Sequence, residues 1–229
     1  MFSRRFLRIK VVKAIYAHLT CADESIAIEE RNLLKGIDKA YDLYPYILSL
    51  IVDVKRYAEE RIEIGLNKHL PTHEDLNPNR KFVENAVIRL IAQSDAVNDY
   101  LAARKLSWAQ YPELIKTLFA QLEQSEYYKA YMARTERSWR DDMVLVTNFY
   151  TNELEESELL EDVLDEMSIL WNDDLGFSLI LVTRTLSNMR PSHVDVKVLP
   201  KFKSIEDLDF ARELFAKVAV NFDNYQEEI

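Results

Sequence analysis

Residues 45–58, PYILSLIVDVKRYA, set Ile47, Leu50, Ile51, Val54 and Ala58 at the three- and four-residue spacing of one helical face. Pro45 suits the first turn of that helix, where its missing N–H is not needed. Just upstream, Ser25 stands ready to cap a stretch in which Ile26, Leu33, Ile37, Tyr41 and Tyr44 share a stripe, so two helices are expected to meet near Tyr44. The same period runs through Leu7, Val11, Ala14, Ile15 and His18, with Ser3 as the cap, and predicts a helix over 4–20.

Downstream, Pro71 and Pro78 mark 69–79 as a loop and a place for a subdomain boundary. This divides the chain into helices over 1–75 and a further helical region over 76–229, packed on the first as one domain or standing apart. Phe82, Ala86, Ile88, Leu90, Ile91 and Val97 predict a helix reaching about residue 103, and Pro112 opens another through Leu114, Ile115, Leu118, Phe119 and Leu122. Ser138 with Asp141, and Ser204 with Asp207, have the spacing of a capping box. The last helix, with Leu208, Ala211, Phe215, Val218 and Phe222 on one face, is expected to run on towards Ile229. Alternating valines over 193–199 carry the only strand character and read as an extended connector. Three glycines in 229 residues leave few positions for hairpin turns or phosphate-cradling loops. The expected fold is all-α, a multi-helix bundle.

Composition narrows the function classes. With 48% hydrophobic and 30% charged residues the chain has enough apolar side chains to build a core, which excludes the disordered class. The single cysteine, Cys21, cannot form an internal disulfide, and no leader-like segment opens the sequence, so a cytoplasmic location is expected. The apolar runs near Tyr46–Val52 and Phe177–Val182 are far shorter than the roughly 20 residues of a membrane span. No membrane association is expected.

Charge is distributed unevenly. Residues 1–22 hold five basic side chains, Arg4, Arg5, Arg8, Lys10 and Lys13, and no acid, while the whole chain carries −10. Cations in a first helical turn oppose the helix dipole, at a cost of a few tenths to about 1 kcal/mol each. Two explanations stand. Arginine forks and free amides at a helix start form an anion site suited to nucleic-acid phosphates; alternatively, the five cations offset the acidic body through surface pairs. On the helical wheel Arg4 and Arg8 fall at one edge of the apolar stripe, with Lys10 and Lys13 nearer the other.

The run RRFLRIKVVKAIY over 4–16 resembles the opening helix of the transcription antitermination factor NusB family, with Arg4, Arg5, Arg8, Ala14, Ile15 and Tyr16 as the matching positions. The stretch 35–61, with its YDLY and RYAEER segments, is similar to the longer NusB-like proteins of Bacteroidetes. The resemblance covers about the first 100 residues. The family's closing motifs, an NEAVELAK-type helix and FVNGVLD, do not occur. The resemblance implies an all-helical RNA-binding antitermination and elongation factor. Its expected partners are boxA-like single-stranded RNA, the ribosomal protein NusE and the transcription elongation complex. The family's arginine-rich RNA contact falls on Arg4, Arg5 and Arg8; Lys10 and Lys13 join it on charge alone. Position 6 is Phe where the family often carries another arginine.

No catalytic constellation stands out, and neither an enzyme nor a cofactor is expected. The carboxylates between Glu153 and Glu166 read as a solvated helical face or a surface for a basic partner. His69 and His73 have metal-like spacing, but Pro71 between them opposes a shared helical face. Asn172, Asp173 and Asp174 before Gly176 lack the alternating ligands of a calcium loop and read as a cap or turn. Cys21 has no nucleophile signature and acidic neighbours, so an idle thiol is expected. Tyr41, Tyr44, Tyr46, Tyr127, Tyr128 and Tyr131, spaced helically, read as core aromatics before base-stacking ones, and Trp108, Trp139 and Trp171 read as structural. The alternative to RNA binding is a non-catalytic helical scaffold whose acidic body faces a basic protein. A third reading, an accessory domain of an RNA-modifying enzyme, lacks the glycine-rich loop for a methyl donor.

Overall fold

The computed structural model describes residues 1–20, 25–155, 157–171 and 173–222. Cys21 and Asn172, and the part of the last predicted helix beyond Phe222, lie outside them. Eleven α-helices and no strand occur among the described residues: α1 (Arg4–Thr20), α2 (Ile26–Leu66), α3 (His73–Leu76), α4 (Ala86–Ala92), α5 (Asp95–Arg104), α6 (Pro112–Gln124), α7 (Glu126–Ala133), α8 (Trp139–Asn148), α9 (Glu158–Met167), α10 (Leu175–Asn188) and α11 (Glu206–Val220). A π-helical turn, Phe149–Glu153, extends α8.

The chain divides into two compact units, Met1–Tyr41 with Leu199–Ile229, and Asp42–Val198. The 69–79 segment lies inside the second of these and does not separate them.

In the first unit α1 packs along α11. Phe6, Leu7, Val11 and Ile15 point inward, as do Ala211 and Phe215 from α11 and Leu33 and Ile37 from α2. Ser3 caps α1 as expected, its Oγ accepting from the Phe6 N–H at 3.2 Å. Phe2 stacks on Phe6 with ring centroids 4.6 Å apart and meets Tyr41 and Phe202 edge-on. The Phe2 N–H donates to the Lys201 carbonyl at 2.8 Å, and the Tyr41 hydroxyl to the Leu199 carbonyl at 2.6 Å, so the closing segment is tied back to the opening one.

The second unit is built around Tyr46. Its ring lies on Trp108, centroids 3.8 Å apart and planes 4° from parallel, with Trp171 at 5.8 Å. The Trp108 indole N–H donates to the Tyr46 carbonyl at 3.0 Å. The Tyr150 hydroxyl donates to the Leu48 carbonyl at 2.6 Å, and the Tyr44 hydroxyl shares a hydrogen bond with Thr185. A buried polar node joins α4, α7 and α8: Tyr131 donates to one Asp142 oxygen at 2.7 Å and the Ala86 N–H to the other at 2.8 Å. Tyr41, Tyr44, Tyr46, Tyr128 and Tyr131 are all core residues, and Trp139 is half-buried.

Four sequence expectations are corrected. No junction occurs at Tyr44: α2 continues through Pro45. Proline removes one backbone donor, but every residue from Ala40 to Ile51 is buried, and the packing of Tyr44 and Tyr46 holds the helix on either side. The helix expected over 82–103 is two. Asn85 Oδ1 accepts from the Val87 and Ile88 amides at 2.9 and 3.0 Å to start α4, and Ser94 Oγ accepts from Val97 N–H at 3.2 Å to start α5. The 69–79 loop contains α3, opened by a reciprocal Thr72–Asp75 capping box. The box expected at 204–207 is altered: Asp207 accepts from the Ser204 N–H at 3.2 Å, while Ser204 Oγ accepts from the Glu206 N–H at 3.3 Å.

Candidate nucleic-acid interface

The five basic residues proposed from sequence do not form one patch. Arg4, Arg5 and Arg8 are exposed on the first two turns of α1. Arg4 Nε donates to Asp207 Oδ1 at 3.1 Å, and its guanidinium lies 5.1 Å from the centre of the Phe210 ring; Arg8 approaches the same ring at 5.6 Å. One aromatic side chain of α11 therefore supports two of the three arginines while their outer donors stay open to solvent. Arg4 also holds the Asp207 carboxyl below the usual aspartate range, with the Ser204 amide adding to the effect. Arg5 stands exposed, with no ion pair to any described residue.

Lys10 and Lys13 behave differently. Lys10 is 8% exposed, and its ammonium lies 5.5 Å from the centre of the Phe6 ring, so it belongs to the packing of the first unit. Lys13 is exposed on the opposite side of the helix from Arg4. Sequence reasoning missed the apolar side chains between them: Ile9, Val12, Tyr16 and Leu19 of α1 are all exposed. Their 3–4–3 spacing was the available signal, hidden because the inward face of α1 is apolar too.

The other predicted clusters resolve as follows. Glu158, Glu161, Asp162, Asp165 and Glu166 lie exposed along α9, whose inward side is Leu160, Val163 and Leu164. Among the described residues no group of three or more His, Cys, Asp or Glu side chains could hold a metal ion, and His69 and His73 gather no third ligand. No helix of the described residues is long and apolar enough to cross a membrane.

A cleft of about 880 Å³ opens in the second unit, with Phe82, Phe119, Tyr128 and Met132 among its lining. The pairs Arg61–Glu123 and Lys68–Asp75 also line it, at 2.5 and 2.8 Å. Lys68, together with Thr72, holds the Asp75 carboxyl down at about 2, so this group is a committed anion and no proton donor near neutral pH. Thr72, whose hydroxyl donates to Asp75 Oδ2 at 3.0 Å within the α3 capping box, lines it as well.

In comparisons with known proteins, no family model, curated protein or solved structure matches the chain.

Proposed function

We propose that this chain is a NusB-like RNA-binding transcription antitermination and elongation factor that contacts boxA-like single-stranded RNA through the first two turns of α1. The observation that carries this reading is the exposure of Arg4, Arg5 and Arg8 together at the start of one helix, two of them braced on Phe210. Guanidinium forks so held match phosphate oxygens and lose little freedom on binding. Lys13, on the opposite side of α1 from Arg4, adds only a weak, peripheral cation; buried Lys10 drops out of the contact. The family resemblance of the same residues supplies NusE and the elongation complex as partners.

The reading is tested by fluorescence-anisotropy titration of a boxA-like single-stranded RNA, with and without NusE, against the wild type and the Arg4→Ala/Arg5→Ala/Arg8→Ala variant. Binding lost in the variant, with its helical circular dichroism intact, supports the contact. Equal binding by both proteins removes it. A second reading rests on the acidic outer face of α9, which suits a basic protein partner. It is favoured if a lysine-rich helical peptide binds and neutralising Glu161, Asp162 and Asp165 releases it while RNA does not bind.

A further inference from the structure

Single exposed apolar side chains are ordinary on a protein surface, but a regular row of them on one helix is a contact face. On α1, Ile9, Val12, Tyr16 and Leu19 are 47%, 57%, 71% and 44% exposed. Their intervals of three, four and three are those of the a and d positions of a heptad. The inward packing of the same helix uses a different set, Phe6, Leu7, Val11 and Ile15, so the exposed row is not left over from the core.

We infer that this row is a coiled-coil seam that receives an acidic amphipathic helix of a partner protein. With Ile9 and Tyr16 at a, and Val12 and Leu19 at d, Arg8 falls at g, Lys13 at e and Arg5 at the preceding d. The e and g positions select the charge of the partner, and of the three exposed here two, Arg8 and Lys13, are basic and the third, Thr20, is neutral. A second copy of this chain does not fit. Parallel pairing sets Arg8 against Lys13 of the other copy, and antiparallel pairing over the same row sets Lys13 against its own counterpart, so both place like charges together. Nucleic acid does not use the row well, since Tyr16 alone offers a flat ring for base stacking and Ile9, Val12 and Leu19 offer neither ring nor charge. A bilayer is disfavoured by Arg5 on the line of the seam, which suits a glutamate of an opposing helix better than acyl chains. A helix with apolar a and d residues and glutamates at e and g complements every feature, and α1, two heptads long, gives a modest and reversible contact.

This inference goes beyond the RNA-binding reading and is tested by a separate probe. A fluorescent 21-residue helical peptide with leucine or isoleucine at a and d and glutamate at e and g is titrated against the whole chain, beside a sister peptide with lysine at e and g. The glutamate peptide is expected to bind and the lysine peptide to bind at least tenfold more weakly. The neutral variant Val12→Gln/Leu19→Gln should weaken the glutamate peptide at least tenfold while leaving boxA-like RNA binding within twofold. Arg8→Glu/Lys13→Glu should reverse the preference between the peptides. Absence of saturable binding of the glutamate peptide overturns the inference, as does equal binding of both peptides or indifference to the seam variant. If the seam variant lowers RNA affinity tenfold, the row belongs to the RNA site and the partner helix is rejected.

Discussion

Replacing Asp142 by alanine should destabilise the second unit by about 3–5 kcal/mol. The carboxylate is 7% exposed and accepts two hydrogen bonds, from the Tyr131 hydroxyl at 2.7 Å and from the Ala86 N–H at 2.8 Å. Burial, and then the Asp142 carboxylate, raise the Tyr131 phenol above its ordinary value, so it remains the donor at any working pH. Hydrogen bonds to a charged acceptor contribute about 1.5–3 kcal/mol each, and alanine also strands the buried Tyr131 hydroxyl. Asp142→Asn keeps one acceptor oxygen and should cost only about 1–2 kcal/mol; Tyr131→Phe, which leaves the Ala86 bond in place, should cost about 1.5–3 kcal/mol. The two sites touch, so Asp142→Ala and Tyr131→Phe combined should fall short of additivity by about 1 kcal/mol. Urea unfolding followed by tryptophan fluorescence measures this directly, because Trp108, Trp139 and Trp171 all lie in that unit. An Asp142→Ala cost below about 0.5 kcal/mol, or an asparagine as costly as the alanine, would refute the assigned network.

Four further outcomes are expected. Phe215→Ala, removing a fully buried ring from α11, should lower stability by about 3–5 kcal/mol in urea unfolding followed by far-ultraviolet circular dichroism. Because Asp207 titrates below its unfolded value of about 3.9, its stabilising contribution is complete above that pH and is lost as pH falls through the lower folded value; Asp207→Asn should flatten the wild type's loss of melting temperature in this acid range. The same substitution releases Arg4 and removes a nearby anion, so anisotropy should show boxA-like RNA binding about 2–5-fold tighter at low salt, the scale of an exposed ion pair. Lys10→Met should leave the salt slope of RNA binding unchanged while Arg5→Ala reduces it by about 0.7, separating the buried cation from the exposed one.

Local signals carried most of the helical reading. Ser3, Pro112 and Ser138 act on neighbouring amides or on their own turn, and α1, α6 and α8 start where these residues place them. Pro45 misled because its effect depends on what surrounds it: at an exposed site proline opens or breaks a helix, whereas here burial from Ala40 to Ile51 carries α2 through. The break before Ser94 was legible in its type and in the following Asp95, but a continuous apolar period obscured it. In the candidate site the arginines were visible as charge. Their pairing was not, since Asp207 lies 203 residues from Arg4 and meets it only through the packing of α11 on α1. The burial of Lys10 and the exposure of Tyr16 were equally hidden, because α1 is apolar around most of its circumference and periodicity alone does not choose the inward side.

The decisive measurement is the salt dependence of boxA-like RNA binding by the wild-type chain, followed by anisotropy between 50 and 200 mM salt. Three arginines, or four cations with Lys13, predict a log–log slope of about −2 to −3 and a loss of affinity of roughly 20- to 50-fold across that range. A slope near zero, or no binding by folded protein at 50 mM salt with NusE present, would contradict the assignment of α1 as an RNA contact.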